Sequence, residues 1–130
     1  MKRQPRWLSK SAVLAMHDAL LAEHGGAAGL RDDGLLESAL ANPRNREAYA
    51  NADLFDLAAA YAHALIRNHP FHDGNKRLAL VAAGVFLEIN GASLETSESD
   101  AVAATLALAT RKLDQAEFAA WLRLSSRKRP

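Results

Sequence analysis

An all-α domain, a compact bundle of about six helices with an active-site loop between two central ones, is what the sequence predicts. Three observations predict it. Apolar residues recur at helical spacing in segment after segment, each bounded by capping and stopping residues. No run alternates apolar and polar with period two for long enough to build a sheet. The 130 residues, with no cysteine among them, suffice for one domain to bury a core without a disulfide framework or a thiolate metal site.

Ser9 or Ser11 caps a first helix running to about His24, with Val13, Met16 and Leu20 on one face and Gly25-Gly26 as its stop. His17 lies near that face and is expected to be a partly buried structural residue. Asp32 or Asp33 starts a short second helix through Leu35, Leu36, Ala39 and Leu40, expected to end before Pro43. Asn42 to Asn51 is polar and turn-rich and reads as a connection lying over the active-site loop. A third helix begins at about Asp53, where Leu54, Leu57, Ala58, Tyr61 and Leu65 share one face. The fourth carries Leu78, Val81, Ala82, Val85, Phe86 and Ile89, apolar on nearly every side, and is therefore predicted to be buried before Asn90-Gly91 ends it. Ser97 with Asp100 caps a fifth helix to about Thr110. Asp114 with Glu117 caps the last, which brings in Phe118, Trp121 and Leu122. Trp7, Phe118 and Trp121 are expected to seal the bundle. The domain spans 1–124, and the basic tail 125–130 is expected to fray in solvent.

Sixteen lysines and arginines against 15 aspartates and glutamates leave a net charge of +1. That balance gives no reason to expect nucleic-acid or membrane binding. The basic stretch Met1 to Lys10 lacks the apolar core of a signal peptide, and no later run approaches ~18 uncharged apolar residues. A soluble, cytoplasmic protein is expected.

The chemistry gathers in one stretch, His69-Pro70-Phe71-His72-Asp73-Gly74-Asn75-Lys76-Arg77. Pro70 disfavours α conformation at His69, so the third helix ends there and His69 stands at the mouth of a loop shaped by Pro70 and Phe71. Asp73, Gly74 and Asn75 are turn and cap residues, which places Gly74, Asn75, Lys76 and Arg77 at the N-terminus of the fourth helix. Free N–H groups and the positive dipole end make that a phosphate site. Gly74 lets backbone approach a ligand, and Lys76 and Arg77 add positive charge. The lone carboxylate Asp73 suits Mg²⁺, which takes one or two protein carboxylates and fills its shell with phosphate oxygens and water. Histidine titrates near neutrality, so His69 is the candidate general base. His72 is expected to face solvent. A metal site built from His63, His69, His72 and Asp73, or from the pairs His17-Asp18 and His72-Asp73, competes weakly, because further ligands at suitable spacing are missing. Arg31 either reaches a nucleotide or, as favoured here, caps and pairs with Asp32 or Asp33.

With these residues the sequence resembles the Fic superfamily, whose motif is H-P-F-x-[D/E]-G-N-G-R-x-x-R, and more narrowly its Doc (death on curing) branch. His17-Asp18, Gly25-Gly26, Leu30-Arg31-Asp32, Leu35 to Leu40, Pro43, Ala58 to Tyr61, Phe86-Leu87, Asn90-Gly91 and Trp121-Leu122 fall in the order of that branch. Two positions depart from the Fic pattern: Lys76 replaces the second glycine and Leu80 the last arginine. In Fic adenylyltransferases that glycine and that arginine support the ATP orientation, and this chain has neither. The resemblance therefore implies the reversed orientation of the Doc branch, with transfer of the γ-phosphate of ATP to a threonine of elongation factor Tu and inhibition of translation. It implies His69 as base, Asp73 as Mg²⁺ ligand, anion contacts from Gly74, Asn75 and Lys76, and charge neutralisation by Lys76 and Arg77. It also implies toxicity held in check by an antitoxin, Phd-like or similar, whose disordered segment folds on binding. Adenylyl transfer by the same loop, or a partner-binding module with a degraded site, are the alternatives.

Overall fold

The sequence places helix signals around one loop; the computed structural model, which describes residues 4–49 and 51–129, shows how they assemble. Six helices occur among the described residues: α1 (Lys10–His24), α2 (Asp33–Tyr49), α3 (Leu54–Asn68), α4 (Asn75–Ile89), α5 (Glu98–Ala109) and α6 (Gln115–Leu124). Two strands of three residues, β1 (Ala92–Leu94) and β2 (Ser126–Lys128), complete the chain. The predicted all-α bundle is the fold observed. No helix of the described residues is long and apolar enough to cross a membrane.

The helix ends are set by the residues the sequence offers for them. Ser9 Oγ accepts from Ala12 N at 3.1 Å, and Gly25, at φ 76°, closes α1 by donating to Leu21 O. Asp32 Oδ1 accepts from Leu35 N at 2.9 Å and so heads α2. Asp53 with Asp56, and Asp114 with Glu117, form reciprocal capping boxes for α3 and α6, and Ser97 caps α5 through Asp100 N.

Helices α3 and α4 form the central antiparallel pair. Both are rich in small buried residues: Ala58, Ala59, Ala60, Ala62 and Ala64 on α3 and Ala79, Ala82 and Ala83 on α4. α2 and α6 pack on α3, while α1 and α5 flank α4. Tyr61, Phe86, Phe118 and Leu122 fill the core, and Trp7 stacks on Phe86 with ring centroids 5.9 Å apart. Phe118 and Trp121 lie 5.4 Å apart, in the sealing position expected of them.

Three expectations need correction. α2 does not stop before Pro43 but runs on to Tyr49 with the proline inside it. Leu36, Ala39, Leu40 and Pro43 are all buried at helical spacing, so the stripe continues through the proline. Burial against α3, with the Arg44 guanidinium 5.5 Å over the Trp7 ring, outweighs the hydrogen bond a proline forgoes. Residues 42–49 therefore do not lie over the active-site loop; Glu47 sits with Asp53 and Asn90 at the opposite end of α3. Second, α4 is not buried all round, since Leu80, Val81 and Val85 are half-buried. Third, the tail is paired: β2 runs antiparallel to β1 with Ala92 opposite Lys128 and Leu94 opposite Ser126. Arg129 N donates to Gly91 O at 2.8 Å, and Arg129 and Arg127 form exposed ion pairs with Glu88 and Glu95. Strands of three residues are too short to show alternation. Pro130 lies outside the described residues.

Candidate active site

His69 is the C-cap of α3. Its backbone is left-handed, φ 48° and ψ 57°, which is unusual for a residue with a side chain and allowed here by the end of the helix. Its N–H donates to Leu65 O at 3.2 Å, and the side chain is exposed. Pro70 and Phe71 are buried and anchor the loop. Asp73 returns to the surface, and Gly74, at φ 79°, turns the chain into α4.

The loop is held from two sides. On its own side, Asn75 Oδ1 accepts from Phe71 N at 3.1 Å and Asn75 Nδ2 donates to Phe71 O at 2.9 Å. From the α1–α2 connection, Gly29 O accepts from His72 N at 3.2 Å, and Pro70 O accepts from Arg31 N at 2.7 Å and Asp32 N at 3.0 Å. Leu30 and Phe71 form an isolated antiparallel bridge. Beneath them His17, 2% exposed, stacks on Phe71 with centroids 3.8 Å apart and donates from Nε2 to Asp73 O at 2.8 Å.

The Asp73 carboxylate accepts from Gly74 N at 2.9 Å and Ala27 N at 3.3 Å, and being exposed it keeps lone pairs free. A Cβ on Gly26 would lie 2.8 Å from Asp73 Oδ2, so the glycine makes the cradle in which that carboxylate sits. Among the described residues no three histidines or carboxylates gather as a metal site. A hard cation held by Asp73 would thus take the remainder of its shell from phosphate and water, as Mg²⁺ does. The competing histidine-aspartate metal sites find no support among the described residues, and His17 is turned onto the Asp73 carbonyl instead.

At the head of α4, Gly74 offers no side-chain cap, which leaves the N–H groups of the first turn available to an anion. Lys76 and Arg77 are exposed beside them, with no ion pair among the described residues. Asn75 differs from its two neighbours. It is 4% exposed and both ends of its amide are committed to Phe71, so only its backbone N–H is left for an anion. Sequence reasoning missed Gly26, Ala27 and Gly29, and it gave Arg31 the wrong partners. Arg31 binds the carbonyls of the loop rather than Asp32 or Asp33. The glycines were the only sequence signal of a backbone approach there.

The model of the Fic/DOC family matches residues 7–87, which take in α1, α2, α3, the loop and most of α4. The chain belongs to the Fic/DOC family. Two relatives of known name are similar to it. Protein kinase doc of Escherichia phage P1 is 40% identical over 87 residues, covering 66% of this chain and 69% of that protein. Toxin Doc of Mycolicibacterium smegmatis is 47% identical over 74 residues, covering 54% and 55% respectively. The Fic/DOC loop is open at the surface. A concavity of about 290 Å³ is lined by Pro5, Ala52, Phe55 and Asn90 at the far end of α3, away from this chemistry.

Proposed function

We propose that the chain is a Doc-like toxin that transfers the γ-phosphate of ATP to a threonine hydroxyl of elongation factor Tu and so inhibits translation. The observation that carries this reading is the uncapped first turn of α4, entered from a loop that exposes His69 and Asp73 and followed at once by exposed Lys76 and Arg77. A relative named as a protein kinase, and another named as a toxin, support it. The acceptor hydroxyl passes its proton to His69 as its oxygen bonds the γ-phosphorus. The bond from that phosphorus to the bridging oxygen breaks, and ADP leaves with the electron pair. Backbone N–H groups at the head of α4, with Lys76 and Arg77, take up the charge that develops on the transferred oxygens. Asp73 would hold Mg²⁺, which supplies further neutralisation of phosphate charge when bound.

The toxin reading brings a partner with it, an antitoxin, Phd-like or similar, with a segment that folds on binding. Among the described residues the exposed large apolar side chains are Val102 and Leu106 on α5 and Leu124 on α6, with Leu14, Leu20 and Leu21 on α1 half-buried, and such surface is what a folding segment would cover.

Intact mass measurement of elongation factor Tu after incubation with the protein, ATP and Mg²⁺ tests the assignment. A phosphoryl increment is expected with wild type and a rate at least ~10²-fold lower with His69→Asn, which keeps a side chain tolerant of the left-handed backbone while removing the imidazole. Asp73→Ala, or chelation of Mg²⁺, should give a similar loss. An adenylyl increment would replace the kinase by an adenylyltransferase. No adduct, together with undiminished toxicity of His69→Asn in growing cells, would leave a partner-binding module.

A further inference from the structure

Arg31 is exposed, yet it is bound to backbone at the end of α3 and the start of the loop. Three consecutive carbonyls accept from it: Asn68 O from Nη2 at 2.9 Å, His69 O from Nε at 2.7 Å and Pro70 O from its backbone N at 2.7 Å. The middle carbonyl belongs to the residue whose backbone is left-handed. That conformation is uphill for a residue with a Cβ and persists only where the surroundings over-determine it. Pro70 alone fixes no left-handed state, since the residue before a proline prefers extended backbone. The guanidinium supplies the missing restraint. Its fork spans two adjacent carbonyls, which a lysine, as a single point donor, does not. Its charge also offsets the negative end of α3.

We propose that Arg31 is a positioning residue for His69: by clamping the carbonyls of Asn68, His69 and Pro70 it holds the His69 backbone left-handed and so fixes where the imidazole stands. The functional half of this assignment rests on His69 being the base of the transfer reaction. Arg31 acts through the backbone of its neighbour and its Nε and Nη2 are spent on protein carbonyls, so it is not assigned to the nucleotide.

The test compares wild type, Arg31→Ala, Arg31→Lys and His69→Asn in phosphorylation of elongation factor Tu with ATP and Mg²⁺. In parallel the His69 ring is followed by NMR, its signal identified by its loss in His69→Asn. Arg31→Ala is expected to lower kcat about 10- to 100-fold with KM for ATP changed less than about threefold, because a misplaced group costs turnover rather than binding. The His69 ring signal should shift or broaden, added guanidinium ion should recover part of the rate, and Arg31→Lys should fall between. Should Arg31→Ala not fold, Arg31→Lys gives the same comparison. A kcat within about twofold of wild type, a loss confined to KM for ATP, or an unmoved His69 signal overturns the proposal. Wild-type activity in His69→Asn overturns instead the reading of His69 as base, and the ring signal in Arg31→Ala then still decides whether the clamp exists.

Discussion

Asn75 shows how a residue of the motif serves the site without facing it. Its amide closes a two-bond ring with the backbone of Phe71 inside the protein. Replacement by alanine leaves a buried N–H and a buried C=O unpaired, at about 1–3 kcal/mol for each group. Asn75→Ala is accordingly expected to lose several kcal/mol in urea denaturation along with its activity. Lost activity at wild-type stability would mean that the side chain touches substrate instead. The sequence places Asn75 at the head of a helix, and the resemblance gives it an anion contact, because a loop-closing asparagine and a ligand-binding one look alike in a motif. Gly26 is illegible for a related reason. It reads as the stop of α1, whereas its second duty, making room for the Asp73 carboxylate, depends on a residue close in space and distant in sequence; Asp73 accepts from Ala27 across 46 positions. His69, Asp73, Lys76 and Arg77 were legible as a loop and helix start because a proline and a glycine bracket them, and all four are exposed.

At the scale of elements, α3 is the beam on which the loop is mounted, and its far end is tied by Asp53. That carboxylate accepts from Asp56 N at 2.9 Å and from Arg123 at 2.8 and 3.0 Å. Burial alone would raise its pKa, but the Asp56 N–H and the Arg123 guanidinium together hold it below the usual carboxylate range. A depressed carboxyl contributes stability that is present above its unfolded value, about pH 3.9, and is lost as pH falls through the folded value. Asp53→Ala should therefore cost about 1 kcal/mol at neutral pH, mostly through the cap because the ion pair is exposed, and should flatten the fall of Tm below about pH 4. A Tm curve parallel to wild type down to pH ~3 would remove Asp53 from the acid limb. This cap was readable from sequence, as were those of α5 and α6, since each is made within four residues. The length of α2 was not. A proline between polar residues reads as an end, and only the packing of Leu36, Ala39, Leu40 and Pro43 on α3 reveals that the helix goes on.

For the molecule as a whole, the join between α2, α3 and α6 runs through polar groups. With its amide oriented to satisfy both ends, Gln115 donates to His63 Nδ1 at 3.2 Å and accepts from Arg46 at 2.9 Å. Burial, and then Arg67, Arg46 and Arg111, push the His63 pKa down. The fold thus prefers His63 neutral. Stability is full above the unfolded value of about 6.5 and declines as pH drops below it. His63→Gln should show a smaller loss of Tm than wild type between pH ~7 and ~5.5; an identical loss would place the pH dependence elsewhere. The β1–β2 pair likewise ties the segment after α4 to the segment after α6. It was unreadable because three residues against three carry no periodic signal.

The clamp of Gly29, Arg31 and Asp32 on Pro70 and His72 divides the site between two stretches of chain, one on each side of the α2–α3 link. A polypeptide severed at that link would yield one piece bearing His69 and Asp73, and another bearing the residues that hold their loop. Neither piece holds a finished site. The two together do, so fragment complementation is the matching test, with recovery of the proposed phosphoryl transfer as the sign that α2 has found α3.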